Sequence, residues 1–220
     1  MSRFLMLVVP PATVVATLLV LRSVWATFLI YHLGLCILLP AAVLGPRAYA
    51  RGVGLVGSRV REGVRTGLVL GAVLAAGQIA VLAWGADLFF ADERVAASLV
   101  AWGAGPERAG PLLAIMLVLN GPAEELYWRG WVHGRLSGSP DRRRTIALTA
   151  LAYASYHGAT LGALFGSWLV ALLILAAVWG AGCLWGWLRE RCGNVWPALL
   201  SHAGATLGYM FVYWDRFAAG

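Results

Sequence analysis

The chain is 220 residues long, 60% hydrophobic and only 12% charged, with a mean hydropathy of +0.76. A soluble domain carries about twice that share of charge, and the apolar residues run continuously for about 20 positions at a time instead of alternating; a soluble globule and a transmembrane barrel are both excluded. The net charge of +7 comes from arginine alone, since lysine is absent, and the arginines gather in short segments between apolar runs, as membrane-anchoring charges do.

In chain order the apolar runs predict seven crossings, within a range of six to eight: roughly 4–21, 24–44, 66–90, 111–133, 145–159, 161–188 and 194–214. The expectation is an all-α polytopic helix bundle, one integral membrane domain over 1–220 with a motif-bearing core at 111–214, its backbone groups paired internally. The run after Arg3 is long for a signal peptide and Val24-Trp25-Ala26 is a poor cleavage site, so it reads as a retained first span. Cys36, Cys183 and Cys192 have no metal-ligand spacing and read as small packing residues.

Loop charges give an orientation. The 45–65 loop carries Arg47, Arg51, Arg59, Arg61 and Arg65 against Glu62. The 134–144 loop carries Arg135, Arg142, Arg143 and Arg144 against Asp141, and 189–193 adds Arg189 and Arg191. The 87–110 loop is acidic, with Asp87, Asp92, Glu93 and Glu107 against Arg94 and Arg108. Counting from a cytoplasmic Arg3 puts all three basic loops inside and the acidic one outside, which predicts a multi-pass cell-membrane protein with N-terminus in and C-terminus out. Arg22, in the first turn, is the exception.

The fourth run holds charges that lipid does not tolerate: Asn120-Gly-Pro-Ala-Glu-Glu-Leu-Tyr-Trp-Arg-Gly130. Each central charge opposes insertion by about 2.5–3.5 kcal/mol, so Glu124, Glu125 and Arg129 together oppose it by roughly 8–10 kcal/mol before pairing. Glu125 and Arg129, four apart, share a helix face and can pair. Glu124 lies about 100° round the helix and has no partner there, which a purely structural ion cluster does not require. Pro122, just upstream, is expected to bend or start this stretch.

Two further runs bring histidine to a similar depth: Tyr153-Ala-Ser-Tyr-His157 and Ser201-His202-Ala-Gly-Ala-Thr206. Helical rise puts Glu124, His157 and His202 about 15, 19 and 12 Å from the expected cytoplasmic boundary, so three helices offer ionisable groups to one layer.

These residues resemble a known family. Glu124-Glu125-Leu-Tyr-Trp-Arg129 looks like an EExxxR motif, Tyr153-xxx-His157 like FxxxH, and His202-xxx-Thr206 like HxxxN, in the order and placement of the CAAX prenyl endopeptidase and bacteriocin-processing (CPBP, or ABI) intramembrane glutamic proteases. The resemblance implies that Glu124 activates water, His157 helps hold it, and His202 stabilises the oxyanion, with Thr206 at the position that shares that duty. Glu125, Arg129 and Tyr153 would brace the site. It also implies no metal and no other cofactor, and a membrane-associated peptide or protein substrate in the bilayer; the arginines clustered in short loops speak for anchoring and against nucleic acid. Two departures stand out: Tyr153 replaces Phe and keeps an aromatic wall, and Thr206 replaces Asn with a shorter donor arm.

Other chemistries fit parts of the pattern. Glu124, His157 and His202 would suit zinc with Glu125 as base, although HExxH is absent. A proton-coupled transporter would use Glu124 as a relay, and a non-catalytic immunity protein would keep only the bundle. Neither GxSG nor GxGD occurs. His32 reads as a packing hydrogen bond and His133 as interfacial or bracing. Trp179, Trp185, Trp187, Trp196 and Trp214 read as membrane-interface belts. The Gly182…Gly186 and Gly204…Gly208 spacings suit close helix approach.

Overall fold

The computed structural model describes residues 2–85, 93–136 and 141–218, and among them there is helix and no strand. Helix α1 is Arg3–Val20, α2 is Val24–Leu44 and α4 is Val60–Trp84; α8 is Trp168–Cys192. These four are long and apolar enough to cross a membrane. Between them lie the short α3 (Pro46–Gly52) and α5 (Glu93–Ala101), and α6 over 109–136. Helices α7 (Arg142–Leu164) and α9 (Trp196–Tyr213) complete the bundle. The polytopic membrane architecture therefore holds for four apolar helices. The remaining three long helices, α6, α7 and α9, are those diluted by charge, histidine and serine.

Local sequence sets the helix ends. Ser2, Ser23, Asp141 and Ser167 each accept a hydrogen bond from a backbone N–H three residues on, capping α1, α2, α7 and α8. Gly193, at φ +70°, ends α8 in the left-handed conformation that glycine adopts without strain. Several expected boundaries move. Helix α4 begins six residues before the apolar run because Arg61, Glu62 and Arg65 continue the helix into the polar layer. The turn between α7 and α8 falls at Phe165–Ser167, where Phe165 is extended and Ser167 caps, so the residues from 161 belong to α7.

Side chains face lipid or neighbours as a bilayer demands. Val69, Val73, Leu172, Leu173 and Phe211 are more than half exposed, while the buried set centres on α6. Helices α4 and α9 form the most extensive pair. Their backbones nearly touch: a Cβ on Gly204 would stand 2.3–2.5 Å from Gly71 backbone atoms, and one on Gly71 would stand 2.7 Å from the Leu200 carbonyl oxygen. No other residue fits there.

The three basic loops meet at one end of the bundle. Arg59 Nη1 donates to the Arg191 carbonyl, Asn194 Nδ2 donates to the Arg59 carbonyl, and Arg142 Nε lies 3.6 Å from Glu190. At the opposite end Trp25 Nε1 and Tyr213 Oη donate to the Gly103 and Ala104 carbonyls, tying α2, the 102–105 turn and α9 together. Of the acidic loop, Asp87 and Asp92 lie outside the described residues.

Candidate active site

Helix α6 carries the two glutamates on the α-helical turn Gly121–Glu125, flanked on both sides by wider i→i+5 turns, Met116–Asn120 and Leu126–Val132. Pro122 removes one N–H from this ladder without breaking the helix, and the adjoining turns widen, a local adjustment common where helices carry a site. The expected bend is therefore a change of winding within one continuous helix.

Glu125 and Arg129 pair as their spacing predicts. Arg129 Nη1 donates to Glu125 Oε1 at 3.0 Å, and both side chains are 0% exposed. The guanidinium lies between two rings, 4.5 Å from the Tyr153 centroid and 5.2 Å from that of Trp185. A cation desolvated between aromatic faces gains from both quadrupoles. Gly182 of α8 leaves the room: a Cβ there would be 2.9 Å from Arg129 Nη2. Glu125 Oε1 also accepts from His202 Nδ1 at 2.9 Å. That bond fixes the proton on Nδ1 and turns Nε2 toward the other glutamate.

Glu124 is 3% exposed, so it faces the bundle interior and not the acyl chains. Its Oε1 accepts from Tyr156 Oη at 2.5 Å and lies 3.5 Å from His32 Nε2. Its Oε2 stands 3.8 Å from His202 Nε2. The second separation is too long for a direct hydrogen bond and short enough for one water to bridge.

His157 is placed differently from its expected position. The imidazoles within ion-pair distance of Glu124, among the described residues, are those of His32 and His202. His157 Nδ1 donates to the Tyr153 carbonyl at 3.1 Å, and its ring lies against Tyr156, centroids 4.3 Å apart. It meets Glu124 through Tyr156. Thr206 is fully buried one turn beyond His202, and its hydroxyl makes no hydrogen bond to either glutamate. The Tyr153 ring is in contact with Arg129, His157 and, edge-on, His202.

Several neighbours were not singled out by sequence. Tyr156 sits beside His157 and would have been found by asking which hydroxyl lies one residue from a motif histidine. His32, read as a packing residue, does donate from Nδ1 to the Thr27 carbonyl at 3.3 Å, and its other nitrogen reaches Glu124. Trp185 is a correction: it is 3% exposed and lies flat on His202, so it is not part of an interface belt. Trp179, Trp187 and Trp214 are 43–47% exposed, as belt residues are. His133 braces by pairing with Glu190 at 2.6 Å. No group of three or more His, Cys, Asp or Glu side chains among the described residues is arranged to hold a metal ion.

Residues 106–208 match the family model described as Rce1-like, Type II CAAX prenyl endopeptidase. This segment is similar to the CAAX protease family. The match takes in every motif residue, from Glu124 to Thr206, and covers a little under half of the chain; α1 to α5 lie outside it. No curated protein and no solved structure matches the chain. That similarity, in a chain with four helices apolar enough to cross a membrane, supports a CAAX protease-like membrane endopeptidase.

Proposed function

We propose that the chain is an intramembrane glutamic endopeptidase that hydrolyses a peptide bond near a membrane-embedded end, without a metal ion. The observation that carries this reading is the 3.8 Å separation between Glu124 Oε2 and His202 Nε2, inside the bundle, with each group held from behind. A water in that gap would give one proton to Glu124 as its oxygen attacks the scissile carbonyl carbon. His202, its Nδ1–H held by Glu125, would face the oxyanion as the imidazolium and donate from Nε2, with Thr206 one turn away as a second donor. Collapse of the tetrahedral intermediate breaks the C–N bond, and the proton on Glu124 goes to the departing amine. His157, its ring against Tyr156, would act indirectly by steadying the hydroxyl that holds Glu124 Oε1. Arg129 would keep Glu125 charged and still.

Seven crossings with a cytoplasmic N-terminus complete the reading, with the site open toward the cytoplasm and the basic end of the bundle on that side. The gathering of all three basic loops at one end supports this sidedness.

The test uses purified chain in lipid bilayers with paired fluorogenic peptides, lipidated and unlipidated, with Glu124→Ala as control and each assay repeated in a zinc chelator. Cleavage that survives chelation and falls by at least ~10²–10⁴ in Glu124→Ala is expected. Equal turnover by both proteins removes Glu124 as the base, and loss of turnover on chelation replaces this mechanism with a metal-dependent one.

A further inference from the structure

The family match begins at residue 106, yet the carboxylate of Glu124 is held in part from outside it. Helix α2 places Tyr31 and His32 side by side, 0% and 3% exposed, where an apolar span needs neither. Tyr31 belongs to a chain of hydrogen bonds that ends on the glutamate. Trp128 Nε1 donates to Tyr31 Oη at 2.9 Å, Tyr31 Oη to Tyr156 Oη at 3.2 Å, and Tyr156 Oη to Glu124 Oε1 at 2.5 Å. Each hydroxyl accepts one proton and passes one on, so the direction of the chain is fixed by the indole, which only donates.

His32 adds a second hold on the same oxygen. Its Nδ1–H is committed to the Thr27 carbonyl, so Nε2 is the nitrogen that faces Glu124. Nε2 is buried, makes no hydrogen bond of its own, and stands at ion-pair distance, 3.5 Å, from that oxygen. Both holds act on Oε1. Oε2 alone is left toward His202 and the 3.8 Å gap.

We infer that His32 and Tyr156 are positioning residues that pin Oε1 of Glu124, so that Oε2 is the oxygen presented to the water, and that α2 therefore completes a site whose reacting groups lie on α6 and α9. This rests on Glu124 being the base. A carboxylate held on one oxygen cannot rotate out of line with the water, and orientation of this kind acts on the rate of the chemical step and not on substrate affinity. The shape of the motifs on α6, α7 and α9 is then insufficient without the tyrosine and histidine of α2.

The experiment has a spectroscopic arm that needs no substrate and a kinetic arm that does. Infrared difference spectra of the full-length chain in bilayers, wild type minus Glu124→Gln, isolate the carboxylate stretch of Glu124. That band shifts in His32→Gln and in Tyr156→Phe and stays in place in His133→Gln, whose histidine pairs elsewhere. If it stays in place in both site variants, the inference is overturned. Each variant is first checked for the wild-type unfolding temperature; should His32→Gln not fold, Tyr156→Phe removes one hydroxyl only and decides alone. In the kinetic arm, kcat falls roughly 10–100-fold in each site variant with KM unchanged, the size of one charge-assisted hydrogen bond lost at the base. An inactive Glu124→Gln with wild-type kcat in both site variants overturns the inference and leaves the protease reading standing. An active Glu124→Gln overturns that reading, and the band shifts then report only how the carboxylate is held.

Discussion

Trp185 lies flat against His202, ring centroids 4.1 Å apart and planes 13° from parallel, and the Arg129 guanidinium lies 5.2 Å from the indole's centroid. The ring thus locks two groups at once: the imidazole that faces Glu124 and the cation that pairs with Glu125. Trp185→Phe keeps a flat apolar face and should retain most turnover. Trp185→Leu keeps an apolar side chain without a flat face and should lower kcat about tenfold, a loss near the ~0.5–1.5 kcal/mol of a good aromatic stack. Steady-state kinetics on a membrane peptide, with unfolding temperatures in parallel, separate this from a general loss of stability. A Trp185→Leu protein as active as Trp185→Phe would show that the stack has no part in the rate.

How much of this was legible beforehand depended on how foreign each residue is to lipid. Glu124, Glu125 and Arg129 announce themselves because three charges in an apolar run need a reason, and helical spacing alone separates the paired glutamate from the other. His202 follows by depth. Tyr156 and Trp185 carry no such signal, since aromatic residues are at home in any membrane helix and only the tertiary structure shows one on a carboxylate and one on an imidazole. His32 reads as an ordinary packing residue, because nothing in the sequence says that α2 passes beside α6. The spans suffer from the opposite effect. The polar residues that reveal the site dilute α6, α7 and α9, so hydropathy marks the four helices around them more clearly than the three that carry the chemistry.

Arg129 and Glu125 should behave as a unit. Removing the cation alone leaves a fully buried carboxylate with its His202 bond but no guanidinium, and breaking a buried pair in this way costs about 3–5 kcal/mol. Arg129→Met is expected to show that loss, and adding Glu125→Gln should restore a substantial part of it. The double variant remains inactive because His202 no longer has a charged partner at Nδ1. Thermal unfolding in detergent of wild type, both single variants and the double variant gives the coupling. Additive losses would contradict a direct pair.

Two glycines should rank by what their missing Cβ would strike. At Gly204 the obstacle is the Gly71 backbone at 2.3–2.5 Å, which no side-chain movement relieves. At Gly182 it is the end of the Arg129 side chain at 2.9 Å, with Ala150 Cβ at 3.1 Å. Overpacking typically costs about 1–3 kcal/mol, so Gly204→Ala should destabilise at the upper end of that range or beyond it. Gly182→Ala should destabilise less while lowering turnover more, because the displaced guanidinium is the one that holds Glu125. Measuring both quantities on both variants tests the crossing of the two orders; the same order in stability and in rate would mean that Gly182 acts only through packing.

Thr206 is the position where this chain departs from the pattern it otherwise follows, and it offers the cleanest separation of donor from filler. The side chain is 0% exposed and lies one turn beyond His202 on the same face of α9. Thr206→Val removes the hydroxyl and keeps the branched shape. If that hydroxyl turns to the oxyanion as charge develops, kcat should fall by up to ~10²–10³, the effect of deleting one such donor, with stability held or improved. Thr206→Asn places an amide donor of nearly the same volume on a longer arm, and turnover should equal or exceed that of the natural protein. The two variants pull in opposite directions only if a donor at 206 meets the transition state. Equal kinetics in Val, Asn and Thr forms would leave His202 as the lone oxyanion partner on α9 and make the Thr at 206 a matter of packing.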